Sequence, residues 1–296
     1  MAREEEESVA SQSREAWLAE QIAYHSDLYY NQAKTEISDA DFDTLWDELK
    51  GLNPQHPQLQ RVGAEVDPGT VKVDHMFPMR SLNKGVNDEE IAHFVKESSL
   101  ESTRFISQPK LDGSALSLEY RKGRLVRAAT RGNGNRGEDV TKNARKVENV
   151  QHTLGVEVDM HIRGEVVMKK SVFNEKYRNI SPNPRNLAAG ALRQKKADGK
   201  ADASDLVFLA YDAKFPNEAS RHPDSEAPPS DPYDSLILEW LSNTAGVEPA
   251  PWIVHDADTE EASIESLCQE TRVWREKRES YAFEIDGLVF KVDDLE

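Results

Sequence analysis

The chain has 296 residues, of which 38% are hydrophobic and 31% charged, with a formal net charge of -17 at pH 7. That length can bury a sizeable core, as one large domain or two unequal ones. The negative balance excludes a free-standing nucleic-acid binder, which needs a basic surface to replace phosphate counterions, unless a local cleft or a partner domain supplies one.

The single cysteine, Cys268, excludes a disulfide framework or a cysteine zinc site and fits a reducing cytoplasm. No apolar run approaches a membrane span. Glu4 to Glu7 have the wrong charge for a signal peptide and read as a solvated, frayed tail.

Residues from about 8 to 51 predict two helices. The first holds Trp17, Leu18, Ile22, Tyr29 and Tyr30. The second starts at Ser38, a good N-cap, with Asp39 and Asp41 suited to the positive end of the helix dipole. Phe42, Leu45, Trp46 and Leu49 follow helical spacing and form a core stripe, and Gly51 is the expected C-cap. Asp39 and Asp43 lie off that stripe, on a face that is either solvated or functional. Pro54, Pro57, Gly63, Pro68 and Gly69 punctuate a linker, which sets a domain boundary near residue 70: residues 1–70 helical, residues 71–296 the larger domain.

Residues 88 to 98 predict a helix, and the chain then turns to strand. Phe105 and Ile106 lead to Lys110-Leu111-Asp112-Gly113. In an extended segment Lys110 and Asp112 share one face, Leu111 enters the core, and Gly113 admits a ligand or another backbone. A lysine at its ordinary pKa of about 10.4 is protonated at pH 7 and a poor nucleophile. Burial or a neighbouring cation would free its lone pair. The bland alternative is a solvated Lys-Asp pair at a strand end.

A hairpin through Lys122-Gly123 follows, then Thr130-Arg131-Gly132-Asn133-Gly134-Asn135-Arg136-Gly137-Glu138-Asp139. Its amides and guanidinium groups could hold a phosphate, or it is a flexible surface turn. Its spacing is neither that of a Walker loop nor of a dinucleotide fingerprint. In His161 to Met168, Ile162, Val166 and Met168 share one face, and Arg163 and Glu165 the other. Asn183-Pro184-Arg185-Asn186 opens a helix over Leu187 to Gln194, and Val207 to Leu209 make a strand. Residues 215 to 232 are a surface insertion; helix, strand and helix follow near 233–243, 252–254 and 260–280. In the final stretch, Glu284 to Val292, Lys291 points away from the core face, to solvent or a cleft.

Taken together and in this order, Lys-Leu-Asp-Gly, Thr-Arg-Gly-Asn-Gly with Gly-Glu-Asp-Val-Thr, Arg-Gly-Glu-Val, Asn-Pro-Arg-Asn and Glu-Ile-Asp-Gly-Leu-Val-Phe-Lys-Val resemble the adenylation region of bacterial NAD-dependent DNA ligases, from about Tyr24 to Asp294. The resemblance implies an α+β fold: an ATP-grasp-like nucleotidyltransferase domain of antiparallel sheets, preceded by a small helical domain. It implies that Lys110 attacks the adenylyl phosphorus of NAD to form a lysyl-AMP for nick sealing in DNA replication and repair. It assigns Arg131, Glu165 and Lys291 to the phosphate and ribose, Ser81 and Leu82 to the nucleotide site, and Arg185 to the cleft. It assigns Tyr29, Tyr30, Asp39, Ala40, Asp41, Phe42 and Asp43 to the nicotinamide mononucleotide half.

Phosphoryl transfer rests on positioning and charge neutralisation, so Mg2+ is expected, held by phosphate and water rather than by a protein cage. Lys291 and a bound metal would then lower the Lys110 pKa. Gln108 stands where the family has a glutamate on the adenine amino group, Phe42 where it has a tyrosine, and Asn133 where it has an aspartate. The chain also ends before the family's second phosphate-contacting lysine and before its oligonucleotide-binding, zinc, helix-hairpin-helix and terminal domains. The expectation is a cytoplasmic monomer that self-adenylates and joins nicked DNA only with additional domains or a partner chain. A degenerate nucleotide-binding protein and an ATP-dependent polynucleotide ligase are the alternatives.

Overall fold

Local sequence chemistry accounts for most element boundaries in the computed structural model, which describes residues 2–31, 36–37, 39–60, 71–98, 103–194, 201–216, 228 and 233–294, with the backbone alone at 2–12, 29–31, 39–40 and 60. The helices are α1 (Ala2–Asn31), α2 (Asp39–Leu52), α3 (Asp88–Ser98), α4 (Thr141–Ala144), α5 (Lys170–Val172), α6 (Pro184–Arg193), α7 (Asp234–Trp240) and α8 (Glu260–Lys277). The strands are β1 (Lys72–Asp74), β2 (Arg104–Leu111), β3 (Ser114–Arg121), β4 (Arg124–Thr130), β5 (Arg136–Glu138), β6 (Met160–Met168), β7 (Leu206–Lys214), β8 (Ile253–Asp256) and β9 (Ile285–Val292). None of the described helices is long and apolar enough to cross a membrane.

The chain divides into two compact units, Met1–Ser81 with Arg131–Asp139, and Leu82–Thr130 with Val140–Glu296. The boundary expected near residue 70 and the Ser38 cap lie outside the described residues, as does most of the expected insertion at 215–232.

In the smaller unit, Leu18, Ile22 and Leu49 are fully buried between α1 and α2, with Phe42, Leu45, Trp46 and Leu59 packed around them. The expected apolar stripe is therefore core. Two boundaries differ from expectation. Backbone helix begins at Ala2, so residues 4–7 are helical rather than frayed; glutamates suit the positive end of a helix macrodipole. Helix α2 runs through Gly51 to Leu52, which makes Gly51 an interior residue rather than a cap. The same unit contains a two-stranded antiparallel sheet, in which Val73 of β1 faces Gly137 of β5.

The larger unit has two antiparallel sheets, ordered β8-β2-β9 and β4-β3-β6-β7. Period-2 alternation sets the faces of the second. Leu116, Leu118 and Tyr120 of β3 and Ile162, Val166 and Met168 of β6 enter the main core, with α4, α6 and α7 contributing Ala144, Leu187, Ala188, Leu192, Leu238 and Trp240. Val95 of α3 and Leu267 of α8 pack on Phe105 of β2, with Phe290 and Val292 beside them.

The chain leaves one sheet and enters the other at Asp112-Gly113, between β2 and β3. Leu111, Val167, Leu209, Phe283 and Ile285 form an apolar cluster at this corner. A Cβ on Gly113 would lie 2.2 Å from the Val166 carbonyl oxygen and 2.8 Å from Cγ1 of Val167. What approaches Gly113 is thus strand backbone, which cannot yield as a flexible side chain would. Gly113→Ala is expected to cost roughly 1–3 kcal/mol or more. Gly190→Ala, in open space inside α6, is expected to gain roughly 0.5–1 kcal/mol. Thermal denaturation of the two variants against the parent chain checks both signs.

Candidate functional site

Strand β2 delivers Lys110 to the corner, and β9 delivers its partner. The β2–β9 ladder shifts register there: Lys110 faces Gly287, but Leu111 faces Ile285. Asp286 is the extra residue of that bulge, and a bulge re-aims a side chain. Its Oδ2 accepts a hydrogen bond from Lys110 Nζ at 2.8 Å. As the alternation predicts, Leu111 is buried and Lys110, 47% exposed at its side chain, stands on the other face.

Arg185 reaches the same cluster from the first turn of α6. Pro184 occupies the start of that helix, and the Asn183 side chain caps it by accepting from the Asn186 N–H. The Arg185 guanidinium pairs with Asp112 at 2.6 Å and approaches Asp286 at 3.8 Å. Lys110, Asp286, Arg185 and Asp112 therefore form a chain of alternating charge. Burial lowers the Arg185 pKa to about 10, against the pull of Asp286, which leaves it charged at neutral pH.

The electrostatics of Lys110 run opposite to the expectation from sequence. Burial lowers its pKa, but the charge and hydrogen bond of Asp286, with the charges of Glu165 and Asp112, outweigh burial, and the net shift is upward. Lys291 does not lower it, for a geometric reason. Its Cα faces Ile106, four residues along β2 from Lys110, roughly 13 Å at strand rise. The Lys291 ammonium instead donates to Asp234 and to the Tyr211 carbonyl at 3.0 Å. Because Lys110 is half exposed, its ion pair adds no more than about 1 kcal/mol to stability. Its consequence is for the amine, which Asp286 keeps protonated.

The other residues singled out in the sequence are placed as follows. Glu165 lies on β6, half-buried and close enough to act on Lys110 by charge. Arg163, its neighbour on that face, pairs with Asp212. Gln108 is 2% exposed, and its amide lies 3.5 Å from the Ala250 carbonyl, a long contact. Leu82 is exposed.

In the smaller unit, Arg131 donates to the Met79 carbonyl at 3.2 Å and to the Ser81 hydroxyl at 3.1 Å. Phe42 packs in the apolar cluster against Trp46; Asp41 is exposed and Asp43 half-buried. Tyr29 and Tyr30 lie on the backbone of α1, and Asp39 and Ala40 on that of α2.

The glycine-rich loop uses several of its own amides internally. Asn133 N–H donates to the Arg136 carbonyl and Gly134 N–H to that of Arg131. Asn135 and Arg136 N–H both donate to Asn133 Oδ1, at 3.1 and 2.9 Å. Four successive amides are thereby used internally, and Asn133 does with its amide oxygen what an aspartate would do with a carboxylate. Gly132, at φ 55°, permits the turn; a Cβ there would meet the Arg136 carbonyl at 2.0 Å.

The sequence does not single out Asp286 and Asp234 as the partners of Lys110 and Lys291. Asp286 carried a usable signal, since Ile-Asp-Gly in the last strand repeats the Leu-Asp-Gly after Lys110. Asp234 carried none. Asp286→Asn removes the main cause of the upward Lys110 shift, so the pH midpoint for acylation of Lys110 by a small amine-reactive reagent should move down. Peptide-level mass spectrometry across pH reads it; an unchanged or higher midpoint contradicts the electrostatics described.

Comparison with known proteins adds a family assignment to this geometry. The model of the NAD-dependent DNA ligase adenylation domain matches residues 69–296, and that of the DNA ligase-like, N-terminal NAD+-binding domain matches residues 8–64. A DNA ligase of Rhodopseudomonas palustris (strain TIE-1) is 37% identical over 299 residues, covering 93% of this chain and 40% of the relative. A DNA ligase of Nitrobacter hamburgensis is 36% identical over 304 residues, covering 94% of this chain and 40% of the relative. The chain thus spans about 40% of the length of these curated relatives.

Proposed function

Because the chain belongs to the NAD-dependent DNA ligase family, we propose that it is the adenylation module of such a ligase and carries out the first half-reaction, transfer of AMP from NAD to Lys110. The observation that supports this most is Lys110 itself: a half-exposed amine at a rigid corner between two sheets, set among Asp286, Asp112, Arg185 and Glu165. In the step, deprotonated Nζ attacks the phosphorus of the adenylyl group and a P–N bond forms. The P–O bond to nicotinamide mononucleotide breaks, that mononucleotide leaves as its phosphate, and the amine proton passes to solvent.

The residues divide the work. Asp286 orients the amine and must yield its proton-holding grip before attack. Arg185, fixed by Asp112, supplies positive charge beside the amine, as phosphoryl transfer requires. Lys291, Arg131 and Ser81 are the proposed phosphate and nucleotide contacts, with Leu82, Gln108 and Glu165 on the adenosine. Residues 1–70, carrying Tyr29, Tyr30, Asp39, Ala40, Asp41, Phe42 and Asp43, are the proposed site for the mononucleotide half, and residues 71–296 the nucleotidyltransferase domain. Mg2+ suits this donor set when held by phosphate and water, because Asp286 and Asp112 are paired with cations; it would offset phosphate charge.

The match of the N-terminal NAD+-binding model over residues 8–64 supports NAD over ATP as donor. Joining of nicked DNA belongs to this reading only with additional domains or a partner chain, in keeping with the net charge of -17. A cytoplasmic monomer completes it. Intact-mass measurement after incubation with Mg2+ and either NAD or ATP is the test. The expected result is an AMP adduct from NAD alone, lost in Lys110→Ala. An adduct from ATP alone, or from neither, contradicts it.

A further inference from the structure

We propose that Asp234 is a positioning residue for Lys291: its buried carboxylate holds the ammonium, and NAD must draw the lysine away from it. This rests on the reading above, in which Lys291 serves the phosphates of NAD, and adds a device that sets how tightly NAD binds.

The two partners differ in freedom. The Asp234 side chain is 4% exposed and that of Lys291 25%. Asp234 is pinned through its main chain, since its N–H donates to the Asp293 carbonyl at 2.8 Å. The next residue, Ser235, donates from its N–H and its hydroxyl to the Asp293 carboxylate at 2.7 and 2.8 Å. Asp293 is fully buried and also accepts from Arg104 Nε at 2.7 Å. The carboxylate is therefore a fixed post. Lys291, on a flexible four-carbon stem with a partly exposed tip, is the partner that can move.

The surroundings make the pair interdependent. On β7, Asp212 and Lys214 act on Asp234 by charge, Asp212 adding repulsion and Lys214 relief. Arg163 of β6 is engaged by Asp212. Among the described residues Lys291 of β9 is the cation hydrogen-bonded to Asp234. Burial holds the Asp234 carboxyl above the usual carboxylate range even with Lys291 in place. Removing Lys291 would leave a buried charge short of its partner, which is costly. A phosphate group that takes Lys291 works against that cost, so only the fraction of molecules with Lys291 released is ready for NAD. If that fraction is about a tenth, abolishing the hold improves apparent affinity about tenfold.

Single-turnover adenylation by the full chain, followed by intact mass at varied NAD with Mg2+, tests this. Asp234→Asn should lower half-saturating NAD about tenfold with the maximal rate little changed. Asp234→Glu, which keeps the charge, should follow the parent chain. The double variant Asp234→Asn with Lys291→Met should show no gain over Lys291→Met alone, because the effect passes through Lys291. Should Asp234→Asn melt below the assay temperature, Asp234→Ser is read in the same way. Unchanged or higher half-saturation in folded Asp234→Asn or Asp234→Ser, or a gain that persists without Lys291, overturns the proposal. Lys291→Met with the parent's half-saturation overturns the phosphate role of Lys291, and no adduct in the parent chain overturns the reading of function as well; these outcomes are distinct from failure at Asp234 alone.

Discussion

The ion pair between Lys110 and Asp286 is the constraint on which the site depends. It exists because β9 carries one residue more than β2 at the corner where the two sheets meet. Without that bulge Asp286 would occupy an ordinary ladder position. With it, a carboxylate meets the amine at 2.8 Å, and Arg185 and Asp112 extend the pair into an alternating chain. Gly113 closes the corner by letting β3 start against the Val166 carbonyl. Motif spacing is thus a statement about how two sheets join, and the chemistry follows from that join.

Lys110 and Lys291 are both held by carboxylates. Asp286 accepts from Lys110 and favours its charged form, and Asp234 accepts from Lys291. Positive charge that phosphoryl transfer needs is present but engaged. Pairing lets several buried or half-buried cations sit close together, since a cation left alone in such a place would cost several kcal/mol.

Features governed by short-range periodicity were legible in the sequence. The core stripe of α2, the alternation of Leu116, Leu118 and Tyr120, and the division of Leu111 from Lys110 and Asp112 all follow from local spacing. The order of motifs was enough to point to the family. What could not be read was register between distant strands. Asp286 meets Lys110 across 176 residues, and Asp234 meets Lys291 across 57. The Lys110 shift was expected downward from Lys291 and a bound metal; of these, the ladder puts Lys291 opposite Ile106. In the glycine-rich loop, composition alone did not show that Asn133 draws the amides of Asn135 and Arg136 inward.

The central claim is that carboxylates hold Lys110 protonated, and that this hold must be loosened before the amine can attack. The direct measurement compares two pH dependences of the same amine. One is its titration in the nucleotide-free protein; the other is the pH profile of single-turnover adenylation at saturating NAD and Mg2+, which reports the bound complex. The account predicts a lower apparent pKa in the bound complex than in the free protein. Equal values, or a higher one in the complex, would contradict it.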